Sequence, residues 1–171
     1  LGANLEQIAV EKAGIIKAGC PVFCSSLPAV AMRVVRARAK ALGAPLVVSS
    51  RPWKPVRAAW DRNEQVLENP SGVRYPLHFL GVLQAANAAL ARAVIDVLSD
   101  ILPVGEAAWV EGLKAVSLPG RFDVRRFGHR RIVLDGAHNP EAMATLARTW
   151  ASAPWSRRAA LWIMGVMRDK D

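Results

Sequence analysis

Asp135 and His138 stand in the string Asp135-Gly136-Ala137-His138-Asn139-Pro140, directly after the apolar run Ile132-Val133-Leu134. A strand that passes through a polar loop into a helix puts those side chains at its carboxyl end, the edge where open α/β sheets bind ligands. There Asp135 can accept from a ribose hydroxyl or orient a cation. His138 can touch phosphate or shuttle a proton. The plain alternative is a helix-start loop in which both side chains merely satisfy backbone groups. Upstream, Arg121 lies in Leu118-Pro119-Gly120-Arg121-Phe122. A permanently charged guanidinium beside a glycine hinge can reach across a domain cleft and neutralise phosphate. Its alternative is one more surface arginine in a chain rich in them.

A third candidate is a lysine. Leu5, Ile8 and Ala9 begin an apolar stripe at helical spacing, Lys12 falls on its next position, and Ile15 and Ile16 continue beyond. A lysine facing a core must find a partner, lose its proton or be modified, because an isolated buried ammonium is very costly. Reaction of the neutral amine with carbon dioxide would give a carbamate, an anion with oxygen ligands suited to Mg²⁺. Otherwise the side chain snorkels outward or pairs with a carboxylate such as Glu11.

The elements that must position these groups alternate. The spacing predicts a helix over 4–17, capped by Asn4 with Gln7 returning the bond and stopped by Gly19. A short apolar strand follows at 21–24, then a helix over 28–42 between Pro28 and Gly43, then a strand at 46–48. That order implies a layered α/β domain with a parallel sheet. Residues 50–80 carry Pro52, Pro55, Pro70 and Pro76 and read as irregular structure with short strands. Helices are expected over 84–98 and 106–116. After Leu118-Pro119-Gly120 the pattern restarts as strands 122–127 and 131–135, a helix 140–151 and a strand 159–164. A domain boundary is therefore placed near 118–120.

Composition narrows the function classes. The chain has 171 residues, 52% hydrophobic and 22% charged, which is globular rather than disordered. No apolar run approaches the ~18–20 residues of a membrane span. The net charge of +9 suits anionic ligands and would also suit nucleic acid. The positive residues are scattered, and no stacking aromatics accompany them as an RNA-binding module would require. Cys20 and Cys24, without partner Cys or His pairs, do not make a zinc pattern and read as thiols of a reducing compartment. Both ends read as cuts, since Leu1 opens the chain without Met and Asp171 follows closely on an apolar run.

Several of these strings carry a resemblance. Leu1-Gly2, with Ile8-Ala9-Val10-Glu11-Lys12-Ala13-Gly14-Ile15-Ile16-Lys17, resembles a signature of the folylpolyglutamate synthase/dihydrofolate synthase family of the Mur-ligase superfamily. Leu134-Asp135-Gly136-Ala137-His138-Asn139-Pro140 is similar to its second signature, and Pro119-Gly120-Arg121-Phe122 to a third. Gly81 to Ala89 resembles a helix start that supplies an adenine-side asparagine, which maps onto Asn87; many members have His where this chain has Leu83. Leu161 to Asp171 is similar to the next strand and its Asp-Lys-Asp turn. The matches run in family order along the chain.

The resemblance implies the C-terminal part of a Mur-ligase central ATPase domain over 1–118 and the start of a Rossmann-like glutamate-ligase domain over 119–171. It implies an ATP-dependent ligase. A folate or dihydropteroate carboxylate attacks the γ-phosphorus of ATP, and L-glutamate then attacks the acyl phosphate. Catalytic roles fall to Lys12, Arg121 and His138, nucleotide contacts to Asn87, Arg121 and Asp135, and a magnesium-holding carbamate to Lys12. Dihydrofolate synthesis, polyglutamate extension or both remain open. The family's phosphate loop is nowhere in this chain, so the chain by itself is expected to release no phosphate. A cytoplasmic monomer with small-molecule substrates, and without nucleic acid or membrane, is the expected setting. Alternatives are another ligase of the superfamily, of the cell-wall peptide or cyanophycin type, or a basic nucleic-acid-binding module.

Overall fold

A computed structural model describes residues 4–49 and 53–165. The Leu1-Gly2 pair of the first signature and the Asp169-Lys170-Asp171 turn lie outside the described residues. In chain order the elements are α1 (Leu5–Ala13), β1 (Val22–Ser25), α2 (Ala29–Ala41), β2 (Leu46–Ser49), β3 (Lys54–Ala59), a 3-10 turn (Trp60–Arg62), β4 (Glu64–Glu68), β5 (Arg74–Leu77), α3 (Gln84–Val97), α4 (Glu106–Ala115), β6 (Asp123–Phe127), β7 (Arg130–Leu134) and α5 (Pro140–Ala151). They group into two compact units: residues 1–52 with 86–103, and residues 53–85 with 104–171. These divisions differ from a single cut at 118–120.

In the first unit, β1 and β2 pair in parallel, Val22 opposite Leu46 through Ser25 opposite Ser49, with α2 as the crossover between them. The parallel pair follows the α/β expectation. Asn4 caps α1 by accepting the Gln7 N–H at 2.9 Å. The helix ends at Ala13, earlier than Gly19, and passes through a turn at Gly14, whose N–H still reaches the Glu11 carbonyl at 3.1 Å. Its buried line is Ala9 and Ala13, continued by Ile16 just beyond the helix. Small side chains there let α1 approach α2, where Ala13 and Ile16 join Ala39 and Ala44 in one apolar cluster with Val34, Val35 and Leu46.

Lys12 is therefore not on the core-facing line. That line is set one position round the helix from the stripe that begins at Leu5 and Ile8. Leu5 is 45% exposed and Ile15 80%. The Lys12 side chain is 69% exposed, with Nζ 3.7 Å from Glu11 Oε1. The expectation of a lysine forced into oil is overturned, and the outward alternative, beside Glu11, is what the chain adopts.

The second unit opens with an antiparallel meander, β3-β4-β5, where irregular structure and short strands were expected. Its prolines sit where a missing N–H is tolerated: Pro55 beside the register shift before Arg57, and Pro76 on the outer strand β5. Leu67, Tyr75 and Leu77 point inward on alternate positions, and Trp53 stacks on Tyr75 with ring centroids 4.9 Å apart. Glu68 on β4 clasps Lys54 of β3 at 2.8 Å and Arg74 of β5 at 3.0 Å, one partner from each neighbouring strand. β6 and β7 form an antiparallel hairpin turned at Gly128. The hairpin packs Phe122 and Val124 against Leu80, Ala153 and Trp155, with Trp60 edge-on to both Phe122 and Trp155. Each such large side chain, fully buried, contributes about 1.5–3 kcal/mol.

The strand expected at 159–164 is not formed. Residues 159–165 take no regular structure, and Leu161 and Ile163 are 89% and 91% exposed. An apolar run becomes a strand only by pairing with another, and no neighbouring strand accepts this one among the described residues. Trp162 leans on Trp150 of α5, ring centroids 5.0 Å apart.

Candidate functional site

Two loops of the second unit meet at the head of the β6–β7 hairpin. The first is Pro119–Phe122. Gly120 and Phe122 both have positive φ, +74° and +48°. Glycine adopts that region freely, whereas a bulky aromatic residue held there costs on the order of 1–3 kcal/mol. The surroundings impose it. The Phe122 ring is 3% exposed within the core, and its N–H donates to Asp135 Oδ2 at 2.8 Å. Arg121, between these two fixed residues, is exposed and has no ion-pair partner among the described residues.

The second loop is Asp135–Asn139. Asp135 Oδ1 accepts the Ala137 N–H at 2.8 Å, so the two carboxylate oxygens each hold a backbone amide, one in each loop. The Gly136 N–H donates to the Gly120 carbonyl at 2.8 Å, a second tie between the loops. The His138 ring closes back on its own loop, with Nδ1 2.8 Å from the Gly136 carbonyl. With the proton on Nδ1, the outward nitrogen Nε2 is left as an acceptor. Asn139 caps α5 by accepting the Ala142 N–H at 2.9 Å, and Pro140 occupies the first turn, as the sequence led us to expect. That helix start adds partial positive charge beside His138. The Arg121 guanidinium lies over Gly136: a Cβ placed on Gly136 would be 3.9 Å from Arg121 Nη1.

The structure thus brings three of the five expected residues, Arg121, Asp135 and His138, to one place. Lys12 and Asn87 belong to the first unit; Asn87 lies in the first turn of α3 and is exposed. Asp135 has an immediate task that the sequence reading assigned only to its plain alternative, the holding of backbone amides. Each of its oxygens retains a lone pair for an incoming donor.

Beside Arg121 a cleft of about 400 Å³ opens, lined among others by Asn63, His78, Leu80, Phe122, Asp123 and Arg125. Much of the basic charge here is already matched. Asp123 holds Arg125 through two bonds of 2.8 and 2.9 Å, which raises the Arg125 pKa further above its usual value. Asp61 holds Arg131 at 2.7 Å and Arg126 at 3.1 Å. The Arg131 hydrogen bond, seconded by Arg126, draws the Asp61 carboxyl below the usual carboxylate range. The Arg131 guanidinium also lies 3.8 Å over the Trp155 ring. Arg125, Arg126 and Arg131 are therefore braces of the hairpin, while Arg121 has no such partner among the described residues. Sequence reading missed Asn63, Asp61 and Asp123, because nothing local in Trp60-Asp61-Arg62-Asn63 says which strand it will meet.

The arrangement has counterparts. The family described as "Mur ligase, glutamate ligase domain" matches residues 120–171. The dihydrofolate synthase/folylpolyglutamate synthase of Bacillus subtilis is 30% identical over 181 residues, covering 99% of this chain and 40% of that protein. The structure of folylpolyglutamate synthetase from Lactobacillus casei superposes with a TM-score of 0.69 at 28% identity, covering 86% of this chain and 39% of that one. A complex of such a synthase with AMPPCP and folate gives 0.76 at 28% identity, over 88% and 38%. The chain spans about two fifths of the length of these relatives. With motifs, order and fold in agreement, the chain belongs to the folylpolyglutamate synthase/dihydrofolate synthase family of Mur-type ligases.

Proposed function

We propose that this chain supplies the nucleotide-facing edge of an ATP-dependent ligase that joins L-glutamate to a folate or dihydropteroate carboxylate. The observation that carries the reading is the latch between the two loops. Asp135 and Gly136 fix the turn at 120–122, so that a guanidinium without an ion-pair partner among the described residues, an imidazole and a helix start stand together at a strand's carboxyl end. The relatives' names, and the AMPPCP and folate of the superposed complex, are in accord with it.

In this reading Arg121 offsets the charge that develops on the transferring phosphoryl group, a task for a preorganised cation. Asp135 accepts from the ribose through its remaining lone pairs. His138 presents Nε2 as an acceptor to the glutamate ammonium; turned to the phosphate side it would need a proton on that nitrogen as well. Asn87 reads the adenine edge with its paired donor and acceptor. Exclusion of water protects the acyl phosphate until the amine attacks. Magnesium, when bound, neutralises phosphate oxygens. Among the described residues no group of three His, Cys, Asp or Glu stands together to hold an ion. Lys12, exposed beside Glu11, shows no surroundings that would favour a carbamate. The carbamate on Lys12 therefore rests on its Glu-Lys-Ala-Gly motif alone, and the steps assigned here run through the other side chains. A monomeric cytoplasmic enzyme acting on small molecules is the setting we infer; no helix among the described residues is long and apolar enough to cross a membrane.

The test is phosphate release by the full-length ligase with ATP, Mg²⁺, L-glutamate and either dihydropteroate or folate. Release that requires both glutamate and a pterin substrate is expected. Release that requires a muramyl precursor instead would assign the enzyme to the cell-wall branch.

A further inference from the structure

We infer that Asn63 is a positioning residue for Arg121, acting from 58 residues upstream through the outer edge of β6. Asn63 ends the 3-10 turn in the left-handed conformation, φ 54°, which asparagine tolerates better than most residues. Its carboxamide meets Val124 as a neighbouring strand would: Oδ1 accepts the Val124 N–H at 2.8 Å and Nδ2 donates to the Val124 carbonyl at 3.0 Å. Val124 is 4% exposed, so these two backbone groups have no water to turn to. Nδ2 also lies 3.4 Å from Asp123 Oδ1, and Asp123 Oδ2 accepts from the Gly120 N–H at 3.5 Å. The segment 120–124 is thus held from one side by Asn63 and Asp123 and from the other by Asp135. Arg121 is the exposed side chain between these holds. A turn that keeps Phe122 in a strained conformation needs both, because either alone lets the segment relax.

The consequence for the turn stands on geometry. The consequence for nucleotide contact rests on the function proposed above, and the experiment separates them. Asn63→Gly keeps the left-handed backbone and deletes the amide. Asp61→Ala loosens the same joint at its far end, where Asp61 holds Arg126 and Arg131, and leaves residues 120–124 untouched. Amide hydrogen exchange followed by NMR on this chain should rise by about tenfold or more at Phe122 and Ala137 in Asn63→Gly. In Asp61→Ala those two amides should stay within about twofold of the parent. Unchanged exchange at Phe122 and Ala137 in Asn63→Gly, or an equal rise in both variants, overturns the inference. In the full-length ligase the same Asn63→Gly change should lower kcat and kcat/KM for ATP about tenfold while KM changes less, since the cation that offsets the developing charge is present but no longer held in place. Raised exchange with unchanged kcat and kcat/KM would leave the positioning intact and count against Arg121 as a group that acts on the transferring phosphoryl.

Discussion

Asp135 holds Phe122 by its backbone: Oδ2 accepts the Phe122 N–H at 2.8 Å, across thirteen residues and a complete hairpin. The other oxygen takes Ala137. One carboxylate thereby ties the turn that carries Arg121 to the loop that carries His138. Charge-assisted bonds of this kind are worth about 1.5–3 kcal/mol each when buried and less at an exposed residue. Asp135→Ala should therefore destabilise the chain by about 1–2 kcal/mol, read as a lower urea midpoint at constant slope. An unchanged midpoint would mean that the latch carries no weight.

Lys12 gives a different prediction from the one its sequence position suggested. An ammonium on a buried stripe, replaced by an apolar residue, would stabilise the fold. The observed side chain is 69% exposed and 3.7 Å from Glu11. Lys12→Met should change stability by less than about 0.5 kcal/mol in urea denaturation of this chain. A clear gain would return Lys12 to the core. Whether the full-length ligase carries a carbamate here is a separate matter, read by ¹³C NMR after exchange with labelled bicarbonate; the signal should vanish in Lys12→Met.

Acid should loosen the hairpin through Asp61. Its carboxyl is held below the usual range, first by the Arg131 hydrogen bond and then by Arg126. A carboxylate depressed in the folded state stabilises the protein fully above its unfolded pKa of about 3.9. That contribution is lost as the pH falls through the lower folded value. Glu68, drawn down by Lys54 and then Arg74, acts in the same sense. The Asp61 side chain, 46% exposed, is open enough for solvent and salt to weaken the effect, whereas Glu68, at 16%, is more sheltered. Urea midpoints should stay level from about pH 7 to 5 and then fall below about pH 4. Asp61→Asn should start lower and fall less steeply; an identical acid slope would exclude Asp61 as a contributor.

Most elements were legible because each announces itself within a few residues. Pro28 and Gly43 bracket α2. Asn139 and Pro140 start α5, and Gly128 turns the hairpin. The site was legible where chemistry-bearing residues share one loop, as Asp135 and His138 do. What failed was what depends on a distant partner. The face of α1 was misread because its burial is set by Ala39 and Ala44 of the next helix and its exit, not by its own largest side chains. The strand expected at 159–164 needs an edge to pair with. The short strands expected within 50–80 are present, but their joining into one meander was not legible, because the prolines obscure it and are accommodated only by a bulge and an outer strand. Asn63 could not be singled out, since its partner Val124 is 61 residues away.

Arg121 is the residue on which nucleotide contact depends most directly in the proposed function. In the full-length ligase, steady-state phosphate release as a function of ATP concentration should show kcat/KM for ATP reduced about 10²–10³-fold in Arg121→Ala, with fold and stability retained, as expected when a preorganised charge donor is removed. Arg121→Lys should recover only part of that loss, because a point charge replaces a planar fork. An Arg121→Ala enzyme within about twofold of the parent would contradict the central claim that this turn, latched by Asp135, presents its cation to the nucleotide.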